Sequence, residues 1–512
     1  MSSKGIDSFS NSERLNLLKQ RIIGNDHPDS NASNQSSEQG FSHFSSSEKI
    51  KVNKYQYDIK SETSSPMKSL IRTPRTEVVD EATIRNEIEK EIKDQYEAKI
   101  SKMKELMEKF IVRNAQLNDE IDSIELLQKQ QRLGTLNTCI NGTAKWHGGI
   151  EIKRIENDLE KLTKELEMLK KTEKNKSDPN QFRRSFLTKE INDKKKIYAI
   201  LEEERRTFAN QLRFENDRIL SEYHPTQYLD DGRYMLIQYI GRGGFSEVWL
   251  AYDTVEIRLV AIKIQKMSSQ WSLVVQQNFL KHLGREIEIL RSTQHENVVT
   301  FYGHFYIGDT TVALVIEYCS GGDLSDMIRK RGRIPEKEAK VILAQVIKGL
   351  LALRAKENYV IHYDLKPGNI IFNDQGLVKI TDFGLSKIMD TDKEAIELTS
   401  QGTGTYYYAA PETFQKGKAV LITPSVDTWS LGIIFYEMLY GHRPFGEDIS
   451  QRAYAGQADK FGKIVFSQSV KVSEAAKKFI TECLEIDQQK RPILESISKN
   501  EYISSLVNGN QS

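Results

Sequence analysis

The spacing of apolar residues changes character twice along this chain, which no single packed core can accommodate. Up to about residue 80 no period lasts, and stretches such as "DSNASNQSSEQGFSHFSSSE" hold Ser and Asn with few aliphatics. Such sequence cannot bury enough apolar surface to offset its ordering entropy, so residues 1–80 read as a disordered tail. From about 81 to 222 the period turns helical. From about 230 to 505 strand-like segments (RYMLIQYI, EVWLAYD, LVAIKI, VALVIEYC) precede longer helical ones punctuated by Gly, Pro and Trp. That order predicts an α+β domain, with a small β-rich lobe before a larger α-rich one.

The helical region is seamed. Tyr96, Ile100, Met103, Met107, Phe110, Asn114, Leu117, Ile121 and Ile124 follow one another at steps of 4 and 3. This is an a/d pattern, and Asn114 at an a position favours one register and a two-stranded partner. A second seam runs Ile152, Ile155, Leu159, Leu162, Leu166, Leu169, and a third runs Leu187, Ile191, Tyr198, Leu201, Phe208, Leu212, Ile219. The tracts "QRLGTLNTCINGTAKWHGG" and "NKSDPN" interrupt them with turn residues. Coiled coils are expected over 81–133, 150–172 and 185–222. The seams suit either an oligomer or an antiparallel bundle within one chain; their narrowness favours the oligomer.

Composition narrows the partners. The chain has 512 residues, 38% hydrophobic and 28% charged, with a formal charge of +1. That balance offers no electrostatic case for direct nucleic-acid or membrane binding. Its three cysteines, Cys139, Cys319 and Cys483, lie too far apart in sequence for a disulfide framework or a Cys-rich zinc site. The apolar runs "VALVI" and "LGIIF" fall far short of the ~20 residues that span a bilayer. With no apolar signal core at the N-terminus, a soluble intracellular protein is expected, in which the sequon at Asn141 carries no sugar. Ser65-Pro66 and Thr73-Pro74 fit phosphoacceptor pairs, a pattern that Ser-rich tails also produce by chance.

The chemistry concentrates after residue 240. In "IGRGGFSEVWLAYD", Gly241 and Gly243 let a strand–turn–strand backbone approach phosphate oxygens. "VAIK" puts Lys263 on a later strand, where it pairs with phosphates and with a helix carboxylate; Glu286 in "REIEIL" is that partner, since Ile289 and Leu290 mark the inward face. "VIEYCSGGDL" supplies backbone groups of Glu317 and Cys319 for a purine edge. "VIHYDLKPGNII" supplies Asp364 as acceptor of a hydroxyl proton, with Lys366 and Asn369 beside it. Asp382 in "ITDFGLSK" and Asn369 make an oxygen donor pair for Mg²⁺ bound with nucleotide phosphates. Thr405 in "TSQGTGTYYYAAPE" can tie Asp364 to Lys366, Asp427 anchors the loop, and Arg491 pairs with Glu412. An inert scaffold lobe would lack the lysine, the base or the metal-binding aspartate, and all three are present.

Over 230–505 these segments resemble the eukaryotic protein kinases, and "DLKPGN" is the Ser/Thr form. "HYDLKPGNI", "GRGGFSEV", "VIEYCSGGDL", the stretched link holding Trp271, "SQGTGTYYY" and "LYGHRPFG" are together similar to the Tousled-like kinases, as is Tyr363 where most kinases carry Arg. The resemblance implies a bilobal protein-kinase fold C-terminal to coiled coils and an ATP- and Mg²⁺-dependent transfer to protein Ser/Thr. It assigns nucleotide contacts to Ile240, Gly241, Gly243, Gly244, Phe245, Ser246, Val248, Ala261, Lys263, Glu317, Cys319 and Asp323. It further implies a nuclear location, histone chaperones of the Asf type as substrates, and a coiled-coil homodimer. With Tyr at 363, phosphates on Thr399, Ser400 or Thr403 are not expected to act through that residue, because the guanidinium that pairs with phosphate is missing.

Overall fold

A computed structural model describes residues 81–138, 144–171, 180–354, 358–390, 395–397, 406–414, 420–446, 454, 461 and 463–509. The tail at 1–80 with Ser65 and Thr73, the sequon at Asn141, Cys139, and Thr399, Ser400, Thr403 and Thr405 lie outside the described residues. Leu117 divides the described chain into two units. In the first, residues 81–117 are the leading part of helix α1 (Glu81–Leu133). Its seam lies open, with Tyr96, Met103 and Phe110 62%, 66% and 63% exposed.

The second unit begins with the remainder of α1, hairpin strands β1 (Gly134–Thr138) and β2 (Ala144–Gly148), and helices α2 (Ile150–Lys171) and α3 (Gln181–Ile219). α2 and α3 run antiparallel, tied by Lys194–Asp158 and Arg183–Glu165 ion pairs, each 2.6 Å. Their seams meet within this chain: Leu187, Ile191, Leu201 and Phe208 of α3 and Ile152 of α2 are buried. α3 starts at Gln181 rather than at 185, because the turn signal ends with Asn180 and a helix-compatible run follows at once.

The tract read as a mere interruption between the first two helices is instead a paired hairpin, Gly134 opposite Gly148 through Thr138 opposite Ala144. Trp146 is the reason. Its ring meets Phe208 edge-on at 6.2 Å, and its indole N–H donates to the Leu133 carbonyl at 3.2 Å. The hairpin thus satisfies a terminal carbonyl of α1 and closes a small core of Leu133, Ile152, Leu201 and Phe208. Gly134 turns at φ +111, where a Cβ would sit 2.0 Å from the His147 carbonyl oxygen, so glycine is required.

The antiparallel sheet that follows has the order β3-β4-β5-β6-β8-β7. Its strands are β3 (Tyr228–Leu229), β4 (Tyr234–Arg242), β5 (Ser246–Asp253), β6 (Arg258–Lys266), β7 (Phe301–Ile307) and β8 (Thr311–Glu317). Strand-like apolar runs announce four of these; β3 is too short to stand out, and β7, "FYGHFYI", is half-buried on both faces. The two-residue period sorts side chains to two faces. Trp249, Ala251, Val260, Ile262 and Ile264 face an outer cluster that Phe214 of α3 and Tyr223 pack against. Ala261, Leu314 and Ile316 join the main core on the other face, with Val248 packed against it. Val248 is paired with Lys263, so that lysine shares the inner face.

Helix α4 (Leu273–Ser292) follows β6; α5 (Leu324–Arg331), α6 (Glu336–Ala352), α7 (Ser425–Tyr440) and α8 (Glu474–Cys483) build the larger lobe. α7 is apolar all round and buried at nearly every residue, as a central helix must be. No helix among the described residues is long and apolar enough to cross a membrane.

Candidate active site

α4 presents Phe279, Leu283, Glu286 and Leu290 on one buried face, at helical spacing. A carboxylate on that face needs a partner. Lys263 provides it: its Nζ donates to Glu286 Oε1 at 2.6 Å and to Asp382 Oδ1 at 2.8 Å. Burial opposes the Lys263 charge, but Asp382 and Glu286 outweigh it and hold the ammonium above its usual range. The Lys263 charge in turn holds the Asp382 carboxyl down, to about 2, against the effect of burial. Sequence reasoning missed Gln265, whose amide donates to Glu286 Oε2 at 2.9 Å. The available signal was its place two residues after Lys263 on β6, on the same face.

The loop from His362 to Asn369 forms the floor. His362 is fully buried, with Nε2 3.2 Å from the Thr381 carbonyl oxygen and its ring 5.3 Å from Phe383. The amides of His362 and Tyr363 donate to the Asp427 carboxylate at 3.1 and 3.0 Å. Arg354, another residue that motif reading did not reach, pairs with Asp427 at 3.1 Å and donates to the Pro424 carbonyl at 3.0 Å. Asp364 Oδ2 accepts from Lys366 Nζ at 2.6 Å, and Asn369 Nδ2 donates to the Asp364 carbonyl at 2.9 Å. Tyr363 and Asp382 adopt φ +67 and +65, left-handed backbone that costs non-glycine residues ~1–3 kcal/mol each. At Tyr363 the surrounding bonds over-determine it, since its amide and that of His362 are captured by one buried carboxylate.

Behind the floor, β9 (Asn358–Ile361) pairs with β10 (Lys387–Asp390), setting Lys387 opposite Ile361. Burial, with Arg285 and Lys281 adding repulsion, pushes the Lys387 ammonium down to about 8. The Tyr363 ring lies 5.6 Å from Lys387 Nζ, and burial followed by the charge of Asp364 raises its phenol. Below, Arg491 grips Glu412 with two bonds of 2.8 and 3.0 Å, both side chains buried.

The roof is the hairpin between β4 and β5. Gly243 N–H donates to the Ser246 carbonyl at 2.7 Å, forming the turn. A Cβ at Gly241 or Gly244 would meet no protein atom within 4 Å, so packing does not demand either glycine; the open face they leave suits phosphate oxygens. Phe245 at the tip is 62% exposed. Gly243, Gly244, Phe245, Ser246, Lys263, Glu286, Asp364, Lys366 and Asp382 line one cavity of about 590 Å³.

The other assigned nucleotide contacts lie elsewhere along the cleft. Val248 and Ala261 are on the inner sheet face, and Ile240 is an exposed residue near the end of β4. Glu317 has its side chain engaged elsewhere: Oε2 accepts from Thr300 N–H and from Lys379 Nζ at 3.0 and 2.8 Å. Burial pushes the Cys319 thiol up to about 12, so it is no nucleophile. Asp323 caps α5, accepting from Asp326 N–H at 2.8 Å. Thr405 lies outside the described residues.

Among the described residues no cluster of three His, Cys, Asp or Glu could hold a metal by itself. Asp382, held ionised, and the amide oxygen of Asn369 are hard oxygen donors. Such a pair fits Mg²⁺, which takes one or two protein ligands alongside substrate phosphates.

A family profile described as "Protein kinase domain" matches residues 234–503. The serine/threonine-protein kinase TOUSLED of Arabidopsis thaliana is 34% identical over 456 residues, covering 82% of this chain and 66% of that protein. Tousled-like 1 of Caenorhabditis elegans is 38% identical over 330 residues, 63% of this chain and 34% of that one. Human tousled-like 2 is 40% identical over 290 residues, 55% of this chain and 37% of that one. The chain thus spans between about a third and two thirds of the length of these curated relatives.

Proposed function

Because the chain belongs to the protein kinase family, among the Tousled-like serine/threonine kinases, we propose that it transfers the γ-phosphoryl group of ATP to Ser and Thr hydroxyls of other proteins. The observation that carries this reading is Lys263 bonded to both Glu286 and Asp382, in the cavity that also holds Asp364.

The acceptor hydroxyl oxygen attacks the γ-phosphorus as the bond to the β,γ-bridging oxygen breaks, and ADP leaves. Asp364 takes the hydroxyl proton, while Lys366 at 2.6 Å orients its carboxylate and offers positive charge to the transferring group. Lys263, fixed by Glu286, sets the α- and β-phosphates, and amides of the glycine turn cover them. Asp382 and Asn369 would hold Mg²⁺, which when bound neutralises charge on the β- and γ-phosphate oxygens. Most of the rate then comes from positioning and fixed electrostatics.

The finer reading rests on family resemblance: nuclear action on histone chaperones of the Asf type, by a homodimer. The open seam of residues 96–117 supports pairing between copies, because contiguous exposed apolar residues at heptad spacing call for a partner helix.

Radiolabelled ATP with wild type and Asp382→Ala tests the chemistry. Label should reach protein serine and threonine, and the variant should lose roughly a thousandfold or more in rate. Equal labelling by both would sink the reading. Labelling of casein but never of a histone chaperone would remove the substrate proposal and leave the kinase.

A further inference from the structure

The tip of the glycine turn rests on an aromatic post outside the motifs that define the phosphate site. Phe245 lies edge-on to Trp271 at 5.2 Å, Trp271 edge-on to Phe279 at 5.5 Å, and Phe245 6.5 Å from Phe279. The three rings connect the turn to the helix that bears Glu286. Phe279 sits seven residues before Glu286 on α4, two helical turns away on the same buried face.

Trp271 is held in place rather than lying loose. Its N–H donates to the Ser268 carbonyl at 3.3 Å, and its carbonyl accepts from Gln276 Nε2 at 3.0 Å. Gln276 is buried on the first turns of α4, so the link between β6 and α4 is pinned at the position that bears the indole. Upstream, Met267 N–H is bonded to the Thr310 carbonyl at 2.9 Å, anchoring the link to the sheet. Trp271, Phe245 and Phe279 are also lining residues of the cavity shared by Lys263, Asp364 and Asp382.

We propose that Trp271 is a positioning residue for nucleotide: it holds the turn closed by seating Phe245, so that the amides of Gly244 to Ser246 meet the phosphates without first being ordered. This rests on the kinase reading above. Aromatic pairs add to affinity beyond the area they bury, and pre-ordering a binding loop removes a cost that ligand binding would otherwise bear. Contacts to the β-phosphate persist through the transition state, so losing them acts as loss of uniform binding and is read in KM rather than kcat.

Initial rates of the full chain across ATP concentrations test this, with wild type, Trp271→Ala, Trp271→Phe, Phe245→Ala, the double alanine variant and Asp382→Ala. Trp271→Ala should raise KM for ATP about tenfold with kcat within about twofold, and Trp271→Phe should recover most of the loss. Phe245→Ala should match Trp271→Ala, and the double variant should be no worse than either, because both remove one contact. An unchanged KM in Trp271→Ala, a loss confined to kcat, or full additivity of the two alanines would overturn the proposal. Should Trp271→Ala not fold, Trp271→Leu, which keeps an apolar side chain but offers Phe245 no ring, decides by the same KM criterion. Undiminished transfer by Asp382→Ala would instead strike at the kinase reading itself.

Discussion

The floor and the roof of the cleft are built on opposite principles. In the floor, His362, Asp364 and Asn369 are all buried, and Asp427 gathers two loop amides and the Arg354 guanidinium. In the roof, the tip is solvent-exposed and kept by one turn hydrogen bond and ring contacts. Behind it, α3 supports the sheet: Phe214 packs on Tyr239 at 5.1 Å, and Asp217 lies 3.7 Å from Arg242. The floor must hold strained backbone at Tyr363, which takes buried, charged bracing. The roof must admit nucleotide, and low local stability serves that need.

The comparison can be broken by mutation. The largest effect is expected in the floor. Asp427→Ala leaves a buried Arg354 and two loop amides without their acceptor, and should cost about 3–5 kcal/mol of stability along with most activity. Denaturant midpoints check this; a loss below about 1 kcal/mol would show that the bracing is dispensable.

Lys387 comes next, a liability within the same floor. Its folded pKa, about 8, lies below the ordinary lysine value, so between the two the unfolded chain binds the extra proton and stability rises with pH. Lys387→Met should therefore be the more stable protein at pH 7, with its advantage shrinking between pH 8 and pH 10.5. An advantage that stays level across that range contradicts the account.

The roof should respond more mildly. Phe214→Ala should cost about 1–2 kcal/mol and raise KM for ATP a few-fold while kcat holds. A fall in kcat with KM unmoved would mean that α3 supports the floor instead. Smallest of all, Tyr363→Phe should leave turnover within about threefold, because the residue's backbone, not its hydroxyl, is what Asp427 grips. A collapse comparable to Asp382→Ala would reverse that.

Much of the site could be read along the chain, for an identifiable reason. Lys263, Glu286, Asp364, Asn369 and Asp382 sit in short segments recognisable by residue type and spacing, and four of them, Lys263, Glu286, Asp364 and Asp382, line one cavity. The bracing was less legible. Gln265 and Arg354 carry no local motif, because each is chosen by a neighbour 21 or 73 residues away, Glu286 or Asp427. The β1–β2 hairpin hid among turn residues, since its stability comes from Trp146 meeting Phe208 of a later helix.

Local pattern carried the succession of helical seams and apolar strands, and the chemical identity of the groups proposed to meet phosphate. Period and residue type are local properties, written in a few dozen consecutive positions. Packing alone settled that α2 and α3 bury their seams on each other, that the Glu317 and Asp323 side chains are already engaged, and that Trp271 stands beside Phe245. Each of these is a competition among distant partners, which is settled by what packs beside what once the chain has closed on itself.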